Sequence, residues 1–286
     1  MLKTLIKIFN VSRPISWVNT AYPFAAGYLV LGGQVDLLFI LGTLFFLIPY
    51  NILMYGINDV FDYESDIKNP RKGSIEGAVE SKAFHPKIIA ASLITTIPFV
   101  IAIGLLVAWQ VLLVLSGVLF FVVAYSIKGL RFKEVPILDS ITSSIHFVGP
   151  LVFALAIFGF PAYVWPYAIA FFLWGMASHA FGAVQDIIPD RAGKLRSIAT
   201  IFGARVTVWV SFAMYIAASV LVMSTGLAGT VVGLAGLLYA GNVAPFLNVT
   251  DKTSALTNKG WRRFITINYV VGAVVTIELI LSFVTF

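Results

Sequence analysis

The chain has 286 residues, 59% of them apolar and only 11% charged, with 19 Lys and Arg against 13 Asp and Glu. A soluble domain is about 25% charged, so this composition, with a mean hydropathy of +0.95 spread along the whole length, excludes a soluble fold. The absence of cysteine excludes disulfides, thiolate metal sites and cysteine nucleophiles.

Apolar stretches recur from the N-terminus to the end, each of about 17–25 residues and long enough to cross about 30 Å of hydrocarbon. About nine spans are predicted, near 15–33, 37–57, 87–107, 110–125, 137–158, 163–185, 204–223, 227–247 and 264–285. The runs do not alternate apolar with polar residues, as the strands of a barrel would, and a helix is the other element that satisfies its backbone in lipid. The predicted fold is therefore all-α: a polytopic membrane protein of about nine transmembrane helices.

The basic residues fall in alternate connections. The N-terminus carries Lys3, Lys7 and Arg13, and the remaining Lys and Arg lie within 68–87, 128–133, 191–205 and 252–263. The connections near 33–36, 108–110, 159–162 and 224–226 carry none. The positive-inside rule then predicts a multi-pass protein of the cell membrane with a cytoplasmic N-terminus and an external C-terminus. The net charge of +6 belongs to a face beside anionic lipid and is not a nucleic-acid footprint. Residues 1–31 have the basic-then-apolar order of a signal peptide, but Arg13-Pro14, Trp17 and Asn19 interrupt the run. The charge pattern also needs this segment as the first span, so it is expected to be retained.

The second span ends in "NDVFDYESD", Asn58 to Asp66, with three aspartates and a glutamate in nine residues. If the helix continues to that end, Asn51, Tyr55, Asn58, Asp62 and Asp66 form one stripe, with Asp59 at its edge. Like charges side by side are unfavourable unless a cation answers them, and carboxylate oxygens suit Mg²⁺ held jointly by protein and phosphates. The loop that follows, about 67–86 ("IKNPRKGSIEGAVESKAFHP" from Ile67), is long enough to be either a solvated connector or a lid over a site.

A second cluster, "VQDIIPDRAGKLRS", closes the sixth span and places Asp186 and Asp190 four residues apart. Pro189 between them predicts that the backbone unwinds near Ile188. His179 lies two turns earlier, either facing the same site or hydrogen-bonded to a neighbouring helix. "GINDVFD" and "GAVQDIIPD" each pair an amide with an aspartate, Asn58-Asp59 and Gln185-Asp186, a short hint of internal duplication.

Five aspartates and a bound diphosphate carry about −8 together, and two Mg²⁺ would return about +4. The remaining charge can be met on the same face by Lys128, Arg131 and Lys133, by Arg191, Lys194 and Arg196, and by Arg71 and Lys72. Arg offers bidentate phosphate contacts and Lys a point charge. A single such charge reads most simply as topology; two acidic clusters with three basic loops on one face read as a metal–diphosphate site.

These motifs resemble those of the UbiA-type intramembrane prenyltransferases. Asn58-Asp59-x-x-Asp62-x-x-x-Asp66 is similar to that family's first aspartate-rich motif and Asp186-x-x-x-Asp190 to its second. "NDVFDYESDIKNPRKGSIEGAVE" and "SHAFGAVQDIIPDRAGKLRSIAT" look most like the lycopene elongases of that superfamily, which build C50 carotenoids. The resemblance covers nearly the whole chain. It implies a single membrane-embedded domain over 1–286, two four-helix halves around a central cavity, and cap loops at about 67–86 and 189–203. It also implies Mg²⁺ held through Asn58, Asp59, Asp62, Asp66, Asp186 and Asp190, with Tyr125 and Lys128 matching a tyrosine–basic element after the fourth span. Lys128, Arg131, Arg191 and Lys194 would serve the diphosphate, and Asp59, Asp62, Tyr125 and Asp186 the catalysis. Pro189 departs from a plain helical pair and puts the role of Asp190 in doubt.

The implied reaction is Mg²⁺-assisted ionisation of an allylic diphosphate, dimethylallyl diphosphate in the elongases, and attack on the resulting cation by an end alkene of lycopene. Tyr55, Tyr125 and Phe181 are candidates for stabilising that cation through their rings. The same chemistry on an aromatic or quinone-precursor acceptor is a second reading. A cation-coupled transporter is a third, although its carboxylates would usually lie near the membrane midplane, where here only Glu278 falls. A CDP-alcohol phosphotransferase would need an Asp-Gly…Ala-Arg…Gly run that is absent.

Overall fold

The computed structural model describes residues 2–67 and 79–284. Thirteen α-helices run through these residues, with no strand among them. They are α1 Leu2–Val11, α2 Val18–Val30, α3 Leu37–Leu47, α4 Pro49–Asp66, α5 His85–Gly104, α6 Trp109–Ser126, α7 Leu138–Ile157, α8 Trp165–Val184, α9 Ile187–Ala192, α10 Ile198–Phe202, α11 Ala204–Met223, α12 Leu227–Val243 and α13 Asn258–Val284. Eight helical segments are long and apolar enough to cross a membrane, and they follow the second to ninth predicted spans. The first predicted span is the shorter α2, preceded by a 3₁₀ turn over Pro14–Ser16. The protein is a multi-pass membrane protein.

Two compact units divide the chain: Met1–Phe132 with Ile145–Pro161, and Lys133–Ser144 with Ala162–Phe286. The first is built on an aromatic core in which Phe24 stacks on Phe153 at 5.8 Å and Tyr50 meets Phe46 edge-on at 5.2 Å. α4 and α5 approach closely through Gly56, where a Cβ would stand 2.8 Å from Ile88 Cγ2. α1 lays Ile8 and Val11 against Phe84 and Ile88 and leaves Leu2, Leu5, Ile6 and Phe9 exposed along one stripe. A short amphipathic helix of this kind suits the membrane interface.

Prolines shape this unit, and polar side chains repair what they break. The second span is two helices, because Pro49 forces the preceding Ile48 out of the helical region to φ −120°, ψ −65°. The carbonyls stranded at the end of α3 are met from inside. Asn51 Nδ2 donates to Phe46 O at 2.9 Å and Leu47 O at 3.1 Å, and Thr20 Oγ1 donates to Phe46 O at 2.7 Å. In α7 the missing N–H of Pro150 frees the carbonyl four residues back, His146 O, and the buried Tyr50 hydroxyl donates to it at 2.8 Å.

The second unit centres on Tyr215 stacked on Tyr239 at 5.3 Å, with Trp174, Phe264 and Trp261 layered beside them. Ser178 Oγ and the Tyr215 hydroxyl share a hydrogen bond of 2.9 Å. The first turns of α7 join this unit, with Ser144 Oγ donating to Phe172 O at 2.7 Å.

Tyr50→Phe and Asn51→Leu are each expected to lower stability by about 1–3 kcal/mol, because the first strands the buried His146 O and the second takes the donor from Leu47 O. Thermal midpoints of the purified variants in detergent check this, and an unchanged midpoint for both would remove the repair argument. At the connection before α3, Asp36 caps the helix by accepting from Phe39 N at 2.8 Å, and this amide holds its carboxyl below the usual value. A depressed folded-state pKa makes the contribution full above the ordinary carboxylate range and lost as pH falls through the lowered value. Asp36→Asn is expected to keep the cap while flattening the acid side of the stability curve, read from midpoints between neutral and acidic pH.

Candidate active site

The first motif lies on the last two turns of α4, which runs unbroken to Asp66. Asp59, Asp62 and Asp66 are buried to 4%, 7% and 8% exposure, although each carries a carboxylate. Arg13 Nη2 donates to Asp59 Oδ1 at 2.7 Å, and its guanidinium covers the Tyr55 ring at 4.2 Å. Arg131 reaches the same helix end, with Nη2 3.8 Å from Asp62 Oδ1 and Nη1 donating to Phe61 O at 3.3 Å. Asn58 Oδ1 accepts from Ser126 Oγ at 2.9 Å, which fixes its amide. Tyr125 meets His146 edge-on at 4.9 Å. Lys128 is exposed in the turn after α6.

Arg13 is the residue that sequence reasoning missed: it was counted as a topological charge. The signal available was its place before Pro14, where the chain must turn; Arg13 adopts φ +49° there, and its side chain returns to α4. Two of the predicted basic residues, Arg71 and Lys72, lie outside the described residues. The described end of that loop is fastened to its surroundings. Lys7 pairs with Glu80, Lys82 with Glu64, and His85 packs edge-on against Tyr63 at 5.0 Å.

The second motif differs from its expected shape. α8 stops at Val184, the chain turns at Gln185 and Asp186, and α9 then carries Pro189 as its third residue. The break therefore falls before Ile188, and Pro189 occupies a first-turn position where no N–H is required. Asp186 and Asp190 are half-buried, and Asp190 N donates to Asp186 O at 2.9 Å. Gln185 is tied into the fold by accepting from Asn258 Nδ2 at 2.5 Å and donating to Gly182 O at 2.9 Å. Arg191 is engaged as well. It donates to Thr200 O at 2.7 Å through Nη2 and to Asp251 Oδ2 at 2.6 Å through Nη1. Lys194 is exposed at a left-handed position, φ +59°.

His179 stands 3.9 Å from Asp139, a wholly buried carboxylate to which the sequence gave no role. Asp139 Oδ2 accepts from Ile198 N at 2.6 Å and Oδ1 from Ser140 N at 2.7 Å. The start of α10 is thus anchored on α7.

A family model described as the UbiA prenyltransferase family matches residues 20–272. The chain belongs to that family. It is 49% identical over 282 residues to a lycopene elongase/hydratase of Corynebacterium glutamicum, covering 98% of both chains. It is 30% identical over 278 residues to a lycopene elongase/hydratase of Haloferax volcanii, covering 96% of this chain and 88% of that one. Among solved structures, a UbiA homologue from Archaeoglobus fulgidus bound to DMAPP and Mg²⁺ shares the fold at a TM-score of 0.66 and 19% identity, over 94% of this chain and 99% of that one.

The UbiA-family assignment makes the chain a membrane prenyltransferase and closes the transporter reading. Its donor set fits Mg²⁺, since Asn58, Asp59, Asp62 and Asp66 offer hard oxygens on one helix face. No three acidic or histidine side chains converge on one point among the described residues.

The Arg13–Asp59 pair is nearly dry, its side chains 15% and 2% exposed. Removing one partner of such a pair costs about 3–5 kcal/mol. Arg13→Gln of this prenyltransferase should therefore lose several degrees of thermal midpoint, and Arg13→Lys should recover part of the loss. Equal midpoints for wild type and Arg13→Gln would show that Asp59 does not depend on this guanidinium.

Proposed function

We propose that this prenyltransferase transfers a dimethylallyl group from its diphosphate to lycopene in a Mg²⁺-dependent reaction of C50 carotenoid biosynthesis. The observation that carries the reading is the row of buried carboxylates, Asp59, Asp62 and Asp66, on one helix of a UbiA-family chain. The acceptor is supported by 49% identity to a protein that bears the name lycopene elongase/hydratase. The donor and the metal are supported by the shared fold of the homologue bound to DMAPP and Mg²⁺.

When bound, Mg²⁺ would supply Lewis-acid neutralisation of the departing diphosphate. Of the two ions expected, one would be held by carboxylates of the first motif, Asp59, Asp62 and Asp66, and the other by those of the second, Asp186 and Asp190. Arg13 positions Asp59, and Ser126 orients Asn58. Lys128, Arg131 and Lys194 would serve the diphosphate, Arg131 from its place beside Asp62, whereas Arg191 would first have to leave Thr200 and Asp251. As the allylic C–O bond breaks, its electron pair leaves with diphosphate and the positive charge spreads over the allyl carbons. Tyr125, next to the Ser126 that orients Asn58, would stabilise that charge through its ring, whereas the Tyr55 ring already carries the Arg13 guanidinium. An end alkene of lycopene then forms the new C–C bond, and the acceptor cation is quenched by losing a proton or by adding water. The second outcome matches the hydratase half of the relative's name. The distribution of Lys and Arg supports a cytoplasmic N-terminus and the diphosphate chemistry at that face.

The test uses purified protein in lipid nanodiscs with Mg²⁺ and dimethylallyl diphosphate, offered lycopene or 4-hydroxybenzoate, with EDTA controls and products read by mass. One or two C5 additions to lycopene, abolished by EDTA, are expected. Prenylation of the phenol alone would keep the chemistry and overturn the acceptor. Asp62→Asn and Asp186→Asn are each expected to lower turnover about 10²–10³-fold, the cost of removing one group aimed at developing charge. Full activity with normal Mg²⁺ dependence in either variant would sink its site assignment.

A further inference from the structure

A crevice of about 570 Å³ opens between α12 and α13, well away in sequence from both aspartate motifs. Leu234, Leu237, Leu238 and Gly241 line it from one face of α12, and Thr266 and Ile267 from α13, with Arg263 and Asn242 at one end. Three features point to a ligand with a polar head. Asn242 is 7% exposed and donates through Nδ2 to Gly260 O at 3.0 Å, but its Oδ1 is buried and accepts no hydrogen bond. A buried acceptor left unmet costs about 1–3 kcal/mol, so a donor is expected there. Arg263 bonds only Lys259 O, at 3.3 Å through Nε, and lies 6.0 Å over the Phe246 ring; neither terminal nitrogen meets a carboxylate among the described residues. Gly241 sits inside α12, where glycine costs about 1 kcal/mol relative to alanine, and a Cβ there would meet no atom within 4 Å. Packing of the described residues does not require that glycine, and any side chain would narrow the crevice.

We propose that this crevice binds a membrane phospholipid with an anionic headgroup. One acyl chain lies over Gly241 between Leu234, Leu237, Leu238 and Ile267, the phosphate meets Arg263, and a headgroup hydroxyl donates to Asn242 Oδ1. Charge complementarity selects the occupant. Arg263 is the charged residue of the lining, no acidic side chain lines the crevice, and Lys259 and Arg262 stand exposed on the same first turns of α13. The long apolar wall favours a lipid over a free phosphate. The site is independent of prenyl transfer.

The experiment delipidates the full-length protein in detergent and adds phosphatidylglycerol, phosphatidylcholine of the same acyl chains, or glycerol 3-phosphate, with retention read by native mass spectrometry. One phosphatidylglycerol per chain is expected, held more tightly than phosphatidylcholine. Arg263→Gln should weaken phosphatidylglycerol roughly fivefold, the effect of about 1 kcal/mol for one cation. Gly241→Leu should release both lipids, and its thermal midpoint, compared with wild type after complete delipidation, separates a blocked crevice from a damaged fold. Should Gly241→Leu fail to fold, Arg263→Gln, which alters only an exposed guanidinium, still decides. Equal retention of the two lipids, unchanged phosphatidylglycerol binding in Arg263→Gln, or glycerol 3-phosphate held as tightly as the lipid would each overturn the proposal.

Discussion

In hydrocarbon a backbone carbonyl without a partner has no water to turn to, and this fold depends on meeting that demand wherever a proline interrupts a helix. Pro49 ends α3 and starts α4 afresh, and the stranded carbonyls of Phe46 and Leu47 are taken by Asn51 and Thr20. Pro150 strands His146 O, and Tyr50 takes it. The repairs fix more than stability. Because α4 begins anew at Pro49, its phase is set there, and the same phase carries Asn51 in the membrane to Asn58, Asp62 and Asp66 at its end. Placement of the carboxylates is thus inherited from a proline several turns away.

The carboxylates sit where local physics resists them. The last turn of a helix bears the negative end of its dipole and favours cations, yet Asp62 and Asp66 lie there, and burial adds a desolvation cost to each. Arg13 and Arg131 offset part of that cost. Arg13 also covers Tyr55, so one guanidinium orders both a carboxylate and an aromatic ring beside it.

What the sequence revealed, and what it hid, follows from the range of the interactions. Span boundaries and the stripe from Asn51 to Asp66 depend on hydropathy and on a repeat of three and four residues, both local, and both are read directly. Arg13 meets Asp59 across 46 positions, and Asp139 meets Ile198 across 59, so no periodicity announces either contact. The break at the second motif falls just before Ile188, where Pro189 points to it, but its form differs. A proline need not end the helix it stands in: here the chain turns at Gln185 and Asp186, and Pro189 is used in the first turn of the next helix. The suggested likeness of the two amide–aspartate pairs does not extend to their backbone. Asn58-Asp59 continues in a helix, and Gln185-Asp186 is a turn.

That turn changes how the segment after it works. Residues 189–203, expected to be a cap loop, are mostly the short helices α9 and α10, and they are tied down along their length. Arg191 grips Thr200 O and Asp251, Ser197 and Thr200 form a reciprocal capping box, and Asp139 holds Ile198 N from full burial. The Arg191–Asp251 pair is exposed and contributes little by itself. The Asp139 contact is of another kind, because opening it would leave a carboxylate without its amide in a dry interior. α9 is held as well, because its Ile187 is fully buried in the core of the second unit. Asp186 and Asp190 flank that buried isoleucine, so the second motif is carried by a segment fastened on both sides.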